Sequence, residues 1–469
     1  MNPKALIYAI HRTQDWWRRV GDHLGYPAVV LTDRRGQGDR WVTDDFYRAY
    51  RRHYRAGAGS SPLVTEAELD EVIARCRVLR WLPRRKAAAM AFAMAEAMER
   101  VLDEERPSLV LSFTIDSYVS DLLARRAAAC GIRHYELTSS ALPRMVMVAR
   151  RGMLCTLRDA PDPALLEEKV HEMVDPLYKP TIFPPPPTFT RARFLRIISY
   201  FRTRAAFFKA YSWYRRDPLN LHYLDAQPML GHKPRYSDME VVTRVDRDWR
   251  ARMERAPKEK RVLFPLQLFP EASIDYWVQD LGLVQYEEML VEVAEALSRA
   301  GFHLLVKDHP LQFGFRRVEL IDRLRGLPNV VVVPYEVTSN EMLNLVGATF
   351  TTTGTPGLQS AILGLTSIVT PNYYTTDDND FLLLRSRDEI PGLAERLLAR
   401  RPPDQAELEA RHRRIVAKLL RGSFEADILS FQKFDPARPN PLASELGEGL
   451  GAWLLRLEAE RDDGGEIAA

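Results

Sequence analysis

The chain has 469 residues, 46% of them hydrophobic and 28% charged, with a formal net charge of +3. That length exceeds one ordinary core and predicts two domains. The near balance of 66 basic and 63 acidic residues excludes the strong basic excess of a nucleic-acid binder. No apolar run approaches the roughly 20 residues that cross a bilayer, and Cys76, Cys130 and Cys155 lack metal-ligand spacing. The opening MNPKALIYAI runs straight into His11 and Arg12, too soon charged for a signal peptide. The expected compartment is cytoplasmic, with any membrane contact peripheral.

In chain order, residues 5–10 and 28–31 read as buried strands, and two helical patterns lie between Glu66 and Val101. SLVLSF at 108–113 is a strand bounded by Pro107, 117–130 a helix stopped by Gly131, and 132–137 the next strand. Strand, helix, strand at this spacing predicts a parallel sheet.

The middle of the chain differs. Four prolines, Pro184–Pro187, favour an extended segment. Residues 191–216 carry no acidic side chain and interleave arginines with aromatic rings. One reading is a basic helix on an anionic membrane surface, here the inner face. A second is a pair of helices that bury their rings and expose their arginines, and a third is a groove for an anionic polysaccharide. Polar, linker-like sequence continues to about Lys260.

From 262 onward β and α patterns alternate regularly. Strands are expected at 262–266, 302–306, 330–333, 348–352 and 367–369, the last of the sheet. Helices are expected at 287–300, 315–324 and 356–363, with a short helix opened by Thr338 and Glu341 at capping-box spacing. Such alternation is the pattern of a doubly wound sheet, whose ligands sit outside the carboxyl ends of its strands.

Three clusters fall at those ends: Gln267 to Ser273 with Glu271, then Lys307-Asp308-His309-Pro310, then Thr351 to Gly357. In the third, Thr353, Gly354, Thr355 and Gly357 let a ligand approach the backbone, and Pro356 suits the first turn of a helix. A helix N-terminus with free N–H groups suits a phosphate, though an ordinary β-α turn looks the same in isolation. Pro310 holds His309 extended, so its imidazole is presented from the strand end, as a phosphate donor, a proton source or a satisfied structural histidine. Lys307 is either a phosphate partner or a solvated charge. Glu271 is a ribose ligand, a base or a turn carboxylate.

These motifs resemble the capsule polysaccharide biosynthesis family, which includes bacterial Kdo transferases. The family shows a Gln-Pro-Glu motif after a strand, then Lys-x-His-Pro, then a Ser/Thr-Gly-Thr-x-Gly turn. Here the first reads Phe264-Pro265-Leu266-Gln267 with Phe269-Pro270-Glu271, so Phe269 replaces the family's glutamine. The third reads Thr353-Gly354-Thr355-Pro356-Gly357-Leu358-Gln359, with Gln359 where glutamate is common. The resemblance covers about 262–370, under a quarter of the chain.

The resemblance implies a GT-B fold: α/β, with two Rossmann-like domains whose doubly wound parallel sheets face across a cleft. It implies a glycosyltransferase that takes a nucleotide-sugar, often CMP-activated, to a surface or capsular polysaccharide or glycolipid acceptor. By the same analogy His309 and the 353–357 turn hold the donor phosphate, Glu271 lines the nucleotide pocket, and Gln267, Pro310 and Gln359 belong to the same motifs. The expected domains are 1–180 for the acceptor, 181–260 as insert and linker, 261–400 for the nucleotide-sugar, and 401–469 as C-terminal helices and tail. Helical patterns at 405–420 and 450–461 precede a tail expected to be disordered, and one of them is expected to return to the N-terminal domain.

Glycosyl transfer needs a stabilised leaving phosphate and a base for the acceptor hydroxyl. No metal site and no cofactor beyond the donor are expected; Asp377-Asp378 is the nearest thing to a cation motif and reads as a polar loop. The acceptor base is expected from the N-terminal domain, with Asp116 first and Glu136 second. Asp116 also reads as a helix cap, and Glu136 as a strand-edge charge. A nucleotide-sugar epimerase of the same fold and a non-catalytic scaffold of polysaccharide assembly are the rival readings.

Overall fold

In the computed structural model, which describes residues 4–10, 13–175, 189–219 and 235–462, the apolar runs pair into two separate sheets. The four prolines at 184–187 and the tail from 463 lie outside the described residues. Contacts divide the chain into two units, one of Met1–Leu166, Tyr211–Asp225 and Val416–Ala469, the other of Glu167–Ala210 and Ala226–Ile415. These bounds differ from the expected 180, 260 and 400. Two of the divisions fall inside the long helices Arg191–Tyr214 and Gln405–Arg421, where no break in composition marks them.

The first unit contains β1 (Ala5–Ala9), β2 (Ala28–Thr32), β3 (Arg40–Trp41), β4 (Leu109–Phe113), β5 (Arg133–Ser139), β6 (Met145–Arg150) and β7 (Met153–Leu154). The order is β6-β5-β4-β1-β2-β3; the strand Ser423–Glu425 closes the β6 edge and β7 also pairs β6. Strands β1 to β5 are parallel, while β6 runs antiparallel to β5. One face packs Ile7, Leu109, Leu111 and Leu137 against Trp16 and Trp17 and against Leu446, Leu450, Trp453 and Leu457 of the helix Pro441–Asp462. It is this last helix that returns to the N-terminal half. A Cβ at Gly451 would lie 2.5 Å from the Leu24 carbonyl oxygen, so only glycine lets the helix come this close. The alanine-rich helix Arg84–Glu105 packs against the helices Thr43–Arg55 and Tyr118–Ala129. The helices Gln14–Asp22 and Thr43–Arg55 are additions to the sequence reading: both carry so many charges that their apolar stripe is masked.

The second unit contains β8 (Arg261–Pro265), β9 (His303–Lys307), β10 (Val330–Val333), β11 (Ala348–Phe350), β12 (Thr366–Val369) and β13 (Leu382–Leu383). All are parallel, in the order β10-β9-β8-β11-β12-β13. The sheet does not end at 367–369 as expected; β13 adds an edge of two residues, too short to read as a pattern. Phe264, Leu304 and Val306 pack on one face with Met289, Leu290 and Val293. Leu263, Leu305, Val331 and Val333 pack on the other with Trp249, Met253 and Met342. Burial on both faces is why these strands are nearly continuous apolar runs. Both units are therefore α/β with mostly parallel sheets in Rossmann-like order, the fold class expected.

Residues 191–216 form neither of the predicted paired helices: Arg191–Tyr214 is one continuous helix. It buries Phe194 and Ile198, while Tyr200, Phe207 and Trp213 are 57, 61 and 67% exposed, so many of the rings are outside rather than packed away. Among the described residues no helix is long and apolar enough to cross a membrane.

Candidate active site

In the second sheet the chain leaves β8 toward β9 and leaves β11 toward β12, so the order reverses between β8 and β11. Ligands of open α/β sheets bind outside the strand carboxyl ends at such a reversal. Gln267 follows β8 and Thr351 follows β11, directly at this point, and Lys307 ends the neighbouring β9.

Hydrogen bonds join the three motifs into one network. The Gln267 Oε1 accepts from Thr351 Oγ1 at 3.0 Å, from the Thr352 and Thr353 N–H groups at 3.0 and 3.2 Å, and from the Thr352 hydroxyl. Its Nε2 donates to Thr353 Oγ1 at 3.2 Å, and that hydroxyl reaches the Ser273 carbonyl at 3.2 Å. Arg316 Nη2 donates to the Gln267 carbonyl at 2.7 Å, and its Nε to Asp308 Oδ1 at 2.9 Å. Asp308 Oδ1 also accepts the His309 N–H at 2.9 Å, and Oδ2 accepts the Tyr335 hydroxyl. Asp308 and Arg316 are 3% and 1% exposed, a fully buried ion pair at the root of the site.

His309 is half-buried, and its Nδ1 accepts the Leu311 N–H at 3.1 Å. With Nδ1 an acceptor, the neutral ring must carry its proton on Nε2. Burial lowers its pKa, against the pull of Asp308 and with the push of Arg316 and Lys307, so the ring is a neutral N–H donor at pH 7. Lys307 is buried, its Nζ donating to the Tyr335 and Asp308 carbonyls at 2.9 and 3.3 Å, and burial lowers its pKa to about 8. Glu271 precedes the short helix Ala272–Asp275 and accepts from Ser273 Oγ at 2.9 Å. The backbone of Phe269, the residue standing where the family has glutamine, pairs in both directions with Gln312, at 3.0 and 2.9 Å.

The third motif opens the helix Thr355–Ile362, with Pro356 in its first turn. Its glycines answer to space: a Cβ on Gly354 would sit 2.7 Å from Thr351 Oγ1, and one on Gly357 2.6 Å from both the Tyr374 hydroxyl and Val369 Cγ1. Gln359 lies half-buried within the helix, beyond its first turn. Pro310 begins the short 3-10 turn Pro310–Gln312. The helix expected from 315 starts only at Val318, because 313–317 is a loop that turns Arg316 inward. Asp308 lies inside the Lys-Asp-His-Pro motif without a role that local sequence announces, and Arg316 and Tyr335 stand outside all three motifs.

In the first unit the sheet order reverses between β1 and β4, and Asp116 follows β4 at that reversal, half-buried. Ser117, rather than Asp116, occupies the N-cap position of the following helix, with no side-chain bond to its N–H groups. Glu136 is 1% exposed on β5 and accepts the Ile115 N–H at 2.8 Å and the Arg151 N–H. It thereby holds the loop that carries Asp116. Burial raises its pKa to about 7, against the two N–H groups and the Arg151 charge. A folded pKa above the unfolded value means stability that is fully present below about pH 4.5 and lost as pH rises through about 7. We expect about 3 kcal/mol of pH-dependent stability over that window, absent from Glu136→Gln, read from urea midpoints of both proteins against pH.

Asp377 Oδ1 accepts the Asn379 and Asp380 N–H groups, and Asp378 pairs with Arg385, so both carboxylates serve their own loop. Among the described residues no group of three or more His, Cys, Asp or Glu is placed to hold a metal ion.

No protein-family model matches the chain, and no curated protein does. Among solved structures it is similar to KpsC, the beta Kdo 2,7 transferase of Thermosulfurimonas dismutans, at 11% identity, 96% of this chain, 99% of that chain and a TM-score of 0.36. The beta Kdo 2,4 transferase of the same KpsC is 16% identical over 70% of this chain and 84% of that one, with a TM-score of 0.31. A UDP-GlcNAc 2-epimerase from Methanocaldococcus jannaschii is 11% identical over 87% of this chain and 98% of that one, with a TM-score of 0.25. Likenesses this distant assign no activity to the chain.

Proposed function

We propose that the chain is a glycosyltransferase whose second unit binds a nucleotide-sugar donor at the carboxyl ends of β8, β9 and β11. The observation that carries this reading is the single hydrogen-bonded network joining Gln267, Asp308, His309, Arg316 and Thr351–Thr353 at the sheet's reversal point. The donor phosphate lies against the N-terminus of Thr355–Ile362 and accepts from His309 Nε2. Lys307, tied to two carbonyls, contributes its charge from beneath rather than a direct bond.

Transfer then follows ordinary chemistry. An acceptor hydroxyl gives its proton to a carboxylate base, for which Asp116 is the candidate, and its oxygen bonds the anomeric carbon. The bond from that carbon to the donor phosphate breaks, the electron pair leaves with the phosphate oxygen, and the helix N-terminus and His309 stabilise that charge. Glu136, with both oxygens held by backbone N–H groups, positions the Asp116 loop rather than acting as the base.

An epimerase would convert the donor with no second substrate, which makes the acceptor the discriminating reagent. Incubation of each nucleotide-sugar with and without glycan acceptors should give sugar transfer only when acceptor is present. His309→Ala should lower the transfer rate about 100-fold or more while the protein stays folded. An isomerised nucleotide-sugar formed without acceptor would establish the epimerase instead, and undiminished transfer by the variant would remove His309 from the site.

A further inference from the structure

Four arginines, Arg48, Arg51, Arg52 and Arg55, stand at i, i+3, i+4 and i+7 of the helix Thr43–Arg55 and so share one face of it. All four are exposed, and with Ala56 they line an open groove of about 650 Å³. Like charges at these spacings repel and weaken the helix that carries them. The relief within the protein is partial. Asp45 meets Arg48 at 3.1 Å and Glu96 pairs with Arg52. Among the described residues Arg51 donates only to the Tyr47 carbonyl, at 3.1 Å, and Arg55 meets no carboxylate. Beside the groove Arg85 lies over the Tyr54 ring at 4.9 Å and donates to the Tyr54 carbonyl at 2.8 Å, adding a fifth cation. A stripe that opposes its own helix is relieved by an anionic partner along it.

The chemistry of the groove selects among anionic partners. Peripheral membrane helices sink an apolar face into the lipid, but here the apolar residues Phe46, Tyr47 and Ala49 are buried in the unit's own core. Single-stranded nucleic acid is held by rings on which bases stack, and among the described residues no ring lines this groove. The four planar guanidinium groups fit the carboxylate groups of an acidic chain in two-point bonds. We propose that this groove of the first unit binds an acidic polysaccharide chain. The proposal does not depend on what the second unit catalyses, since binding is read without any donor.

The test is the affinity of the full chain for fluorescent polygalacturonate by anisotropy, set against neutral dextran and against phosphatidylcholine vesicles holding about 30% phosphatidylglycerol. Wild type should bind polygalacturonate and not dextran, and weaken as salt rises from about 50 to about 300 mM. Arg51→Glu with Arg55→Glu should weaken that binding about ten-fold or more, whereas Arg438→Glu, another exposed arginine, should not. Should the reversed charges prevent folding, Arg51→Gln with Arg55→Gln gives the same reading at smaller amplitude. Absence of polygalacturonate binding, unchanged affinity in the double variant, or a double variant that loses vesicle binding instead would each overturn the proposal.

Discussion

Asp308→Ala should cost the second unit about 3–5 kcal/mol, because it leaves the buried Arg316 guanidinium without its counter-charge. Three donors lose their acceptor at once: Arg316 Nε, the His309 N–H and the Tyr335 hydroxyl. Arg316, 1% exposed, is left with the Gln267 carbonyl as its one acceptor among the described residues. A buried ion pair is often no better than apolar side chains of similar volume, so the cost belongs to breaking the pair rather than to lacking it. Asp308→Leu with Arg316→Met should therefore recover most of the stability, while the proposed donor site stays impaired because His309 has lost its backbone anchor. Urea unfolding of the three proteins checks this. A single variant as stable as wild type would show that water reaches Arg316 and that the pair is not the root of the site.

Gln267→Ala and Gln267→Glu should separate folding from donor binding. Alanine removes the acceptor shared by four donors of Thr351–Thr353 and leaves two backbone N–H groups buried and unpaired, each costing about 1–3 kcal/mol. Glutamate keeps an oxygen for all four donors, and as a charged acceptor bonds them more strongly. It gives up only the Nε2 bond to Thr353 at 3.2 Å. The glutamate variant should thus fold with stability near wild type, yet its charge beneath the phosphate position should weaken nucleotide-sugar binding about ten-fold or more. Calorimetry with the donor, beside melting curves, reads both effects. A glutamate variant with wild-type affinity would mean that no phosphate lies near Gln267.

Much of the second unit was legible because its strands are buried on both faces and each is punctuated. Val330–Val333 ends at Pro334, Gly301 precedes the strand at His303, and Thr338 with Glu341 makes the capping box seen at Ser339–Leu343. The site motifs could be read because they stand at strand ends, where local sequence and topology coincide. The long-range parts could not. The strand Ser423–Glu425 pairs with β6 across more than half the chain, and no local pattern announces that pairing. Arg316 looks like any loop arginine until the fold buries it beside Asp308. The helix Thr43–Arg55 hid its apolar side behind its arginines, and Arg191–Tyr214, lacking a clean apolar stripe, gave no sign whether it was one helix or two.

The most direct test of the donor site is the melting temperature of wild type and His309→Ala, each with CMP, UDP, GDP and their common sugar conjugates. A ligand that binds only the folded state raises its stability by an amount set by concentration over Kd, about 2.7 kcal/mol at 100 times Kd. The account predicts that one nucleotide family stabilises wild type, that the effect requires its phosphates, and that His309→Ala loses most of it. No stabilisation of a well-folded wild type by any nucleotide would contradict the donor site and favour a non-catalytic role.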